Sequence, residues 1–290
     1  MIFLMKKLLR ILIIFIFLGE IIYVYFHLLN REQKGQVSLK TDLSTEITPT
    51  PTPLSQPTST NTPVPKPVGF CLNIPVLTYH HIQPLSIAEE KEQKNITVDN
   101  EIFDSQMKYL VDHGYQTIKA EDLVFALINH QKLSGKSIVI TLDDGSDDAY
   151  LYAYPIARKY NLVLNLMIVT GLLENPGYLT WGQLKEMVGS GLITAYNHSW
   201  SHNYLTKSSR EKIASEISTS KQQIEENLGK KSNIFVYPYG VSNNEVTEVL
   251  KQEGYLGAFT TISGTTQCES YLMGLHRNRI GNAPLSSYGF

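Results

Sequence analysis

Residues 137–145 read Ser-Ile-Val-Ile-Thr-Leu-Asp-Asp-Gly. The apolar, β-branched run 137–142 predicts a buried strand, and two adjacent carboxylates, Asp143 and Asp144, fall at its carboxyl end. Similar runs recur at 74–79, 162–169, 192–196, 233–237 and 257–261, with amphipathic stretches between them. Phe103, Met107, Leu110 and Val111 lie at helical spacing ahead of Gly114, and Ile213, Ile217, Ile224 and Leu228 form one face of a longer helix stopped by Gly229. Strand and helix in alternation predict an α/β fold on a parallel sheet, open or closed into a barrel. Either architecture places ligands at the carboxyl ends of the strands.

Polar chemistry collects at those ends. His198 and His202, in H-S-W-S-H, follow the run 192–196, and Pro238, Tyr239 and Gly240 follow the run 233–237. Two histidines four apart on one face of a helical turn reach a single cation, and a carboxylate would complete a three-ligand site with open positions. The bland alternative is a pair of hydrogen-bonded surface histidines. A turn at Gly145 would bring Asp143 and Asp144 into one pocket, one to hold metal and one to accept a proton from water. The alternative is a solvated acidic loop, with Asp147 and Asp148 as helix N-terminal charges.

Taken together, T-L-D-D-G, H-S-W-S-H and Y-P-Y-G, each after a strand, resemble the polysaccharide deacetylase family (carbohydrate esterase family 4, the NodB homology domain) over roughly residues 72–280. The flanks I-P-V-L-T-Y-H-H-I at 74–82, F-D-S-Q-M-K-Y-L at 103–110, Y-L-T-W-G-Q-L-K-E-M at 178–187 and L-K-Q-E-G-Y at 250–255 look closest to the poly-N-acetylglucosamine deacetylase branch. The resemblance implies a distorted (β/α) barrel with fewer than eight strands. It implies Asp143 as general base and Asp144, His198 and His202 as ligands of a divalent metal, usually zinc, with cobalt, nickel or manganese as alternatives. Tyr239 would offer its backbone N–H to an oxyanion, with Pro238 shaping the turn. His80 and Trp200 are candidate groove residues, and Trp181, Tyr196 and Tyr239 offer further flat faces for sugar rings or simply pack in the core.

Two departures stand out. Where many members carry an arginine that orients the base, this chain has Val236, and Arg277 is the candidate to pair with Asp143 instead, or to form a surface salt bridge. The last family motif, which brings a histidine acid, has no clear counterpart. His276, in the segment 275–280, is either that donor or a bystander. His113 and His130 sit near helix ends, where they cap carbonyls.

The remainder of the chain reads as delivery apparatus. Of 290 residues, 1–35 hold Lys6, Lys7 and Arg10 ahead of an apolar run from Ile11 to Leu29, which reads as a transmembrane signal anchor with the remainder exported, or as a cleaved signal peptide ending near Glu20. Residues 36–67 form a linker with 17 Ser, Thr or Pro among positions 44–67, too polar and too proline-rich to build a core. Residues 68–290 make the single folded domain, and their 18 Lys/Arg against 23 Asp/Glu leave a net charge of -5, with no basic stripe for nucleic acid. Cys71 and Cys268, near its two ends, are placed to staple the termini in an oxidising compartment or to remain free. The expected function is metal-dependent removal of N-acetyl groups from an extracytoplasmic amino-sugar polysaccharide partner. The alternatives are an O-deacetylase of xylan-type glycan, a non-catalytic glycan binder and, least favoured, a glycoside hydrolase, whose carboxylates must stand at least ~5 Å apart across a bond.

Overall fold

The structure, a computed structural model, describes residues 67–133 and 135–290. The expected anchor and all of the linker but its last residue lie outside the described residues. Among the described residues no helix is long and apolar enough to cross a membrane.

In chain order the first half comprises β1 (Cys71–Asn73), β2 (Val76–Tyr79), β3 (His81–Ile82), α1 (Leu85–Glu90), β4 (Thr97–Val98), α2 (Asn100–Asp112), β5 (Tyr115–Thr117) and α3 (Ala120–Ile128). The central strand β6 (Lys136–Asp144) is followed by α4 (Tyr154–Tyr160), β7 (Leu164–Ile168), α5 (Trp181–Gly189), β8 (Ile193–Asn197) and α6 (Arg210–Leu228). The chain ends through β9 (Ile234–Val236), α7 (Asn244–Gln252), β10 (Gly257–Phe259), β11 (Thr266–Cys268) and β12 (Asn278–Arg279).

Local chemistry sets these boundaries. The Asp99 side chain accepts from Glu101 N at the start of α2, and Ser209 does the same for Lys212 N at the start of α6. Gly229, at φ 65°, ends α6 in the left-handed conformation that a Cβ disfavours. Along α2 the predicted stripe is buried at Phe103, Met107 and Leu110, whereas Val111 is exposed.

All pairings in the main sheet are parallel, in the order β10-β9-β8-β7-β6-β2-β12, with β5 beside the first residues of β6. The curled path holds seven strands and β5 is the eighth member of the sheet, so the expectation of fewer than eight strands fits the path and not the whole sheet. The last segment bridges its two ends. Leu275 bonds β10 on both sides, through Leu275 N to Ala258 O and Thr260 N to Leu275 O, both 2.9 Å. Five residues on, Ile280 N donates to Thr78 O of β2 at 3.1 Å.

Strand alternation separates the faces. Val76, Val139, Met167, Val236, Phe259 and Leu275 pack into the inner core together with Leu123, Val124 and Leu127 of α3. Ile140, Leu142 and Leu166 pack outward under α2, α4 and α5, and Phe235 and Ala258 under α6 and α7. At the chain ends of the domain, β1 and β11 pair antiparallel with Cys71 opposite Cys268, and a disulfide joins them.

That bond closes a loop of 197 residues, so its removal frees much unfolded-chain entropy. The double variant Cys71→Ser/Cys268→Ser is expected to lose about 2–4 kcal/mol of stability, measured by urea unfolding without reductant.

Candidate active site

Asp143 and Arg277 meet inside the barrel. Arg277 Nη1 donates to Asp143 Oδ1 at 2.7 Å and Nη2 to Oδ2 at 2.9 Å, a bidentate pair with both side chains buried. The guanidinium is itself fixed, by Nε to the Thr260 carbonyl at 2.9 Å and Nη1 to Thr141 Oγ1 at 3.2 Å. Burial pushes the Asp143 carboxyl up, but Arg277, then His198 and His80, outweigh it and hold the group at about 2. Asp143 is therefore ionised throughout the neutral range.

Asp144 is the last residue of β6. It takes φ 73° and Gly145 follows at φ 83°, so the chain turns at the second carboxylate itself, one residue earlier than expected. That turn breaks the alternation that would otherwise send the two carboxylates to opposite faces. Asp144 Oδ1 then lies 3.6 Å from His198 Nε2 and 3.6 Å from His202 Nε2, and one ligand atom from each of the three groups lies within 4.8 Å of the others.

The histidine segment is not the helical turn its spacing suggested. Positions 198–202 form a bent loop with Ser199 at φ 70° and His202 at φ 57°. Hydrogen bonds supply what a helix would have. Ser199 N donates to Asn197 Oδ1 at 2.7 Å, and His202 N to Ser199 Oγ at 3.0 Å. Ser201 donates through N and Oγ to the two oxygens of Glu216, at 2.8 and 2.6 Å. Glu216 reaches in from α6, is buried, and pairs with Lys212 at 2.7 Å.

The donor set fits one divalent cation. His198 Nδ1–H donates to the Val236 carbonyl at 2.8 Å, which leaves the Nε2 lone pair facing Asp144. Burial pushes His198 down to about 3 and His202 down as well, so both imidazoles are in the neutral, ligating form. Burial and the Asp143 charge push Asp144 up, the reverse of its neighbour. One carboxylate and two imidazoles are a set that zinc accepts readily.

Asp143, Arg277, His198 and His202 line a cleft of about 500 Å³, whose walls also include His80, Tyr239, Gly240 and Arg279. Tyr239 takes φ 60°, ψ 7° in the turn after buried Pro238. Gly240 must be glycine, because a Cβ there would lie 2.1 Å from Thr261 Oγ1. The Tyr239 ring stacks flat on Tyr204, with centroids 3.7 Å apart at 3°, and lies 4.6 Å from the His202 ring.

Several expectations are corrected. His276 does not enter the cleft: it precedes Arg277 on an extended segment and so faces the other way, stacked on Tyr271 at 5.0 Å. Trp200 lies outside the cleft lining, over Gly171 and beneath Lys212. Tyr196 is buried in the inner core and Trp181 packs on the outer one. Asp148 is no exposed helix charge. It is buried, bonded to His81 Nδ1 at 2.5 Å and to Ile82 N at 3.2 Å, which ties the turn after β6 to β3. His113 does bond a helix carbonyl, that of Tyr109, while His130 stacks on Phe70 and pairs with Glu269. Glu216, Asn197 and Tyr204 support the site without belonging to any of its sequence motifs. A glutamate between Ile213 and Ile217 on a buried helix face was the available signal for the first.

Comparison with known proteins gives this arrangement its class. The polysaccharide deacetylase family profile matches residues 130–258. The Bacillus subtilis (strain 168) protein YxkH, itself assigned to the polysaccharide deacetylases, is 30% identical over 207 residues, 71% of each chain. Among solved structures, the Streptococcus pyogenes deacetylase PplD in complex with acetate superposes with a TM-score of 0.67 at 30% identity, over 74% of this chain and 93% of that one. The chain belongs to the polysaccharide deacetylase family. It is also similar to the poly-β-1,6-N-acetyl-D-glucosamine N-deacetylase of Staphylococcus aureus (strain MRSA252), 26% identical over 205 residues, 63% of this chain and 70% of that one.

Substituting Arg277→Met strands a buried carboxylate and should cost about 3–5 kcal/mol. Because Asp143→Asn removes the stranded charge, the double variant should be more stable than Arg277→Met alone, as read from denaturant midpoints.

Proposed function

We propose that this enzyme is a divalent-metal-dependent N-deacetylase of an extracytoplasmic amino-sugar polymer, with poly-β-1,6-N-acetylglucosamine as the first candidate and peptidoglycan or chitin-like chains behind it. The observation that carries the reading is the ionised Asp143–Arg277 pair set beside Asp144, His198 and His202 in an open cleft. The Staphylococcus aureus relative named above supports the choice of polymer.

Asp144, His198 and His202 would hold a divalent cation, zinc first, which would supply Lewis-acid polarisation of an acetamide carbonyl and a more acidic water. Asp143 stands beside these ligands as proton acceptor, and Arg277 fixes the plane of its carboxylate so that no side-chain search precedes the reaction. The Tyr239 N–H, presented by the left-handed turn, hydrogen-bonds the oxygen on which negative charge develops. Water adds to the carbonyl carbon as Asp143 takes its proton, the C–N bond then breaks to release acetate, and the departing nitrogen needs a proton. With His276 turned away, that proton comes from Asp143, which has just taken one, or from His80 on the cleft wall. Tyr239, half-exposed in the cleft wall and backed by Tyr204, offers apolar ring surface to a pyranose.

Export is part of the proposal. The basic-then-apolar N-terminal run supports a single-pass anchor with the domain outside, or secretion if that run is cleaved. The Cys71–Cys268 disulfide is the kind of bond that persists outside a reducing cytoplasm.

The purified protein is expected to release one acetate per free amine formed on poly-β-1,6-N-acetylglucosamine, with chain length unchanged. Chelation should abolish release and zinc restore it, and Asp143→Asn should lower kcat by roughly 10²–10⁴. Shortened chains without acetate would point to a glycosidase, and a metal-loaded protein inert on every N-acetylated glycan would sink the reading. Because Glu216 fixes the histidine loop from behind, Glu216→Ala should weaken zinc binding by about 10- to 100-fold, measured by calorimetric titration.

A further inference from the structure

The cleft has a side branch. A second cavity of about 250 Å³ opens beside it, and the two share His80, Ile96 and Arg279 as a common wall. Together they fall in the roughly 300–1,000 Å³ range of ordinary ligand sites. Thr97, on the far wall, has its hydroxyl and carbonyl committed to Gln93 and Asn282. Arg279 is different. Its Nη2 donates to the Asn95 carbonyl at 2.5 Å, which pins the guanidinium between the two cavities. Among the described residues no carboxylate pairs with it.

An unpaired guanidinium at this point bears on the chemistry of a repeating substrate. Each untouched sugar carries a neutral acetamide, whose carbonyl oxygen accepts from a guanidinium. Each finished sugar carries an amine, protonated at neutral pH, which a guanidinium repels. We infer that the side branch is a subsite for the sugar next to the one being deacetylated, and that Arg279 restricts it to a neutral, still N-acetylated unit. The enzyme then passes over positions adjacent to a finished one and leaves a spaced pattern of amines. The inference rests on the N-deacetylase reading above and adds to it the rule by which sites along the polymer are chosen.

Repulsion between two unit charges at about 4 Å on a wetted surface amounts to roughly fivefold or more in kcat/KM, and salt screens it. The test compares β-1,6-linked N-acetylglucosamine tetramers, fully acetylated or carrying a single glucosamine next to an acetylated unit. Acetate release is followed for the wild type, Arg279→Gln and Arg279→Lys. The wild type should prefer the fully acetylated tetramer by roughly fivefold or more at low salt, and less at high salt. Arg279→Lys should keep the preference and Arg279→Gln should lose most of it, with second deacetylations then mapped by mass spectrometry to neighbouring sugars. An active wild type with no preference, or an unchanged preference in Arg279→Gln, overturns the subsite and leaves the N-deacetylase reading standing. A wild type inert on both tetramers overturns the subsite and the choice of β-1,6-linked polymer, and acetate release from peptidoglycan or chitin oligomers then decides whether the N-deacetylase reading stands.

Discussion

The bidentate pair between Asp143 and Arg277 is the constraint on which the rest of the site depends. It joins the end of the central strand β6 to the segment that bridges the two ends of the sheet. That segment is thin: β12 shares only Asn278 and Arg279 with β2, and a single bridge at Leu275 reaches β10. Pulling a guanidinium and a carboxylate from water costs several kcal/mol per ion, so a pair of this kind is no simple source of stability. Its effect is to fix position. Arg277 also bonds the Thr260 carbonyl and Thr141 Oγ1, so one side chain registers β6, the end of β10 and the closing segment against one another. Asp143 and the closure of the barrel are held by the same atoms.

Around that centre the backbone is placed where side chains are uncomfortable. Asp144, Ser199, His202 and Tyr239 all have positive φ, between 57° and 73°. Residues held there cost of order 1–3 kcal/mol each and persist only where their surroundings over-determine them. The surroundings do so. Asn197 is buried, accepts from Ser199 N, and donates to the Ile217 carbonyl and the Tyr255 hydroxyl. Glu216 takes both polar groups of Ser201, and the Tyr204 ring covers Tyr239. Two elements outside the cleft, α6 and the strand β8, therefore decide where the imidazoles point.

Much of this was legible in the sequence, and the gaps have physical reasons. The six long apolar runs became β2, β6, β7, β8, β9 and β10 because a parallel sheet buried on both faces needs near-continuous apolar strands. The closing segment gives no such signal: His276, Arg277, Asn278 and Arg279 are polar, and only their pairing makes them extended. Once they are extended, alternation settles what spacing left open, with Arg277 facing in and His276 facing out. The four-residue spacing of His198 and His202 suited a helix and a loop equally. Ser199, where glycine would have announced the turn, concealed it. Tyr204 and Asn197 act through neighbours that are distant in sequence or unremarkable in type, and no local pattern marks them.

Two adjacent carboxylates in one buried site raise a problem of charge, and the fold answers it asymmetrically. Arg277 neutralises Asp143 from inside the barrel, so that carboxylate is ionised whatever else the cleft holds. Among the described residues Asp144 has no such cationic partner. Burial and its neighbour's charge both disfavour its ionised form, and the two imidazoles 3.6 Å from it are kept neutral by burial. Neighbouring groups whose environments push their ionisation apart take different chemical roles. Asp143, with its charge balanced in advance, is suited to accept and return a proton. Asp144, with two Nε2 atoms 3.6 Å from its Oδ1, belongs instead to a donor set suited to a divalent cation. The division of labour follows from which of the two aspartates the closing segment reaches.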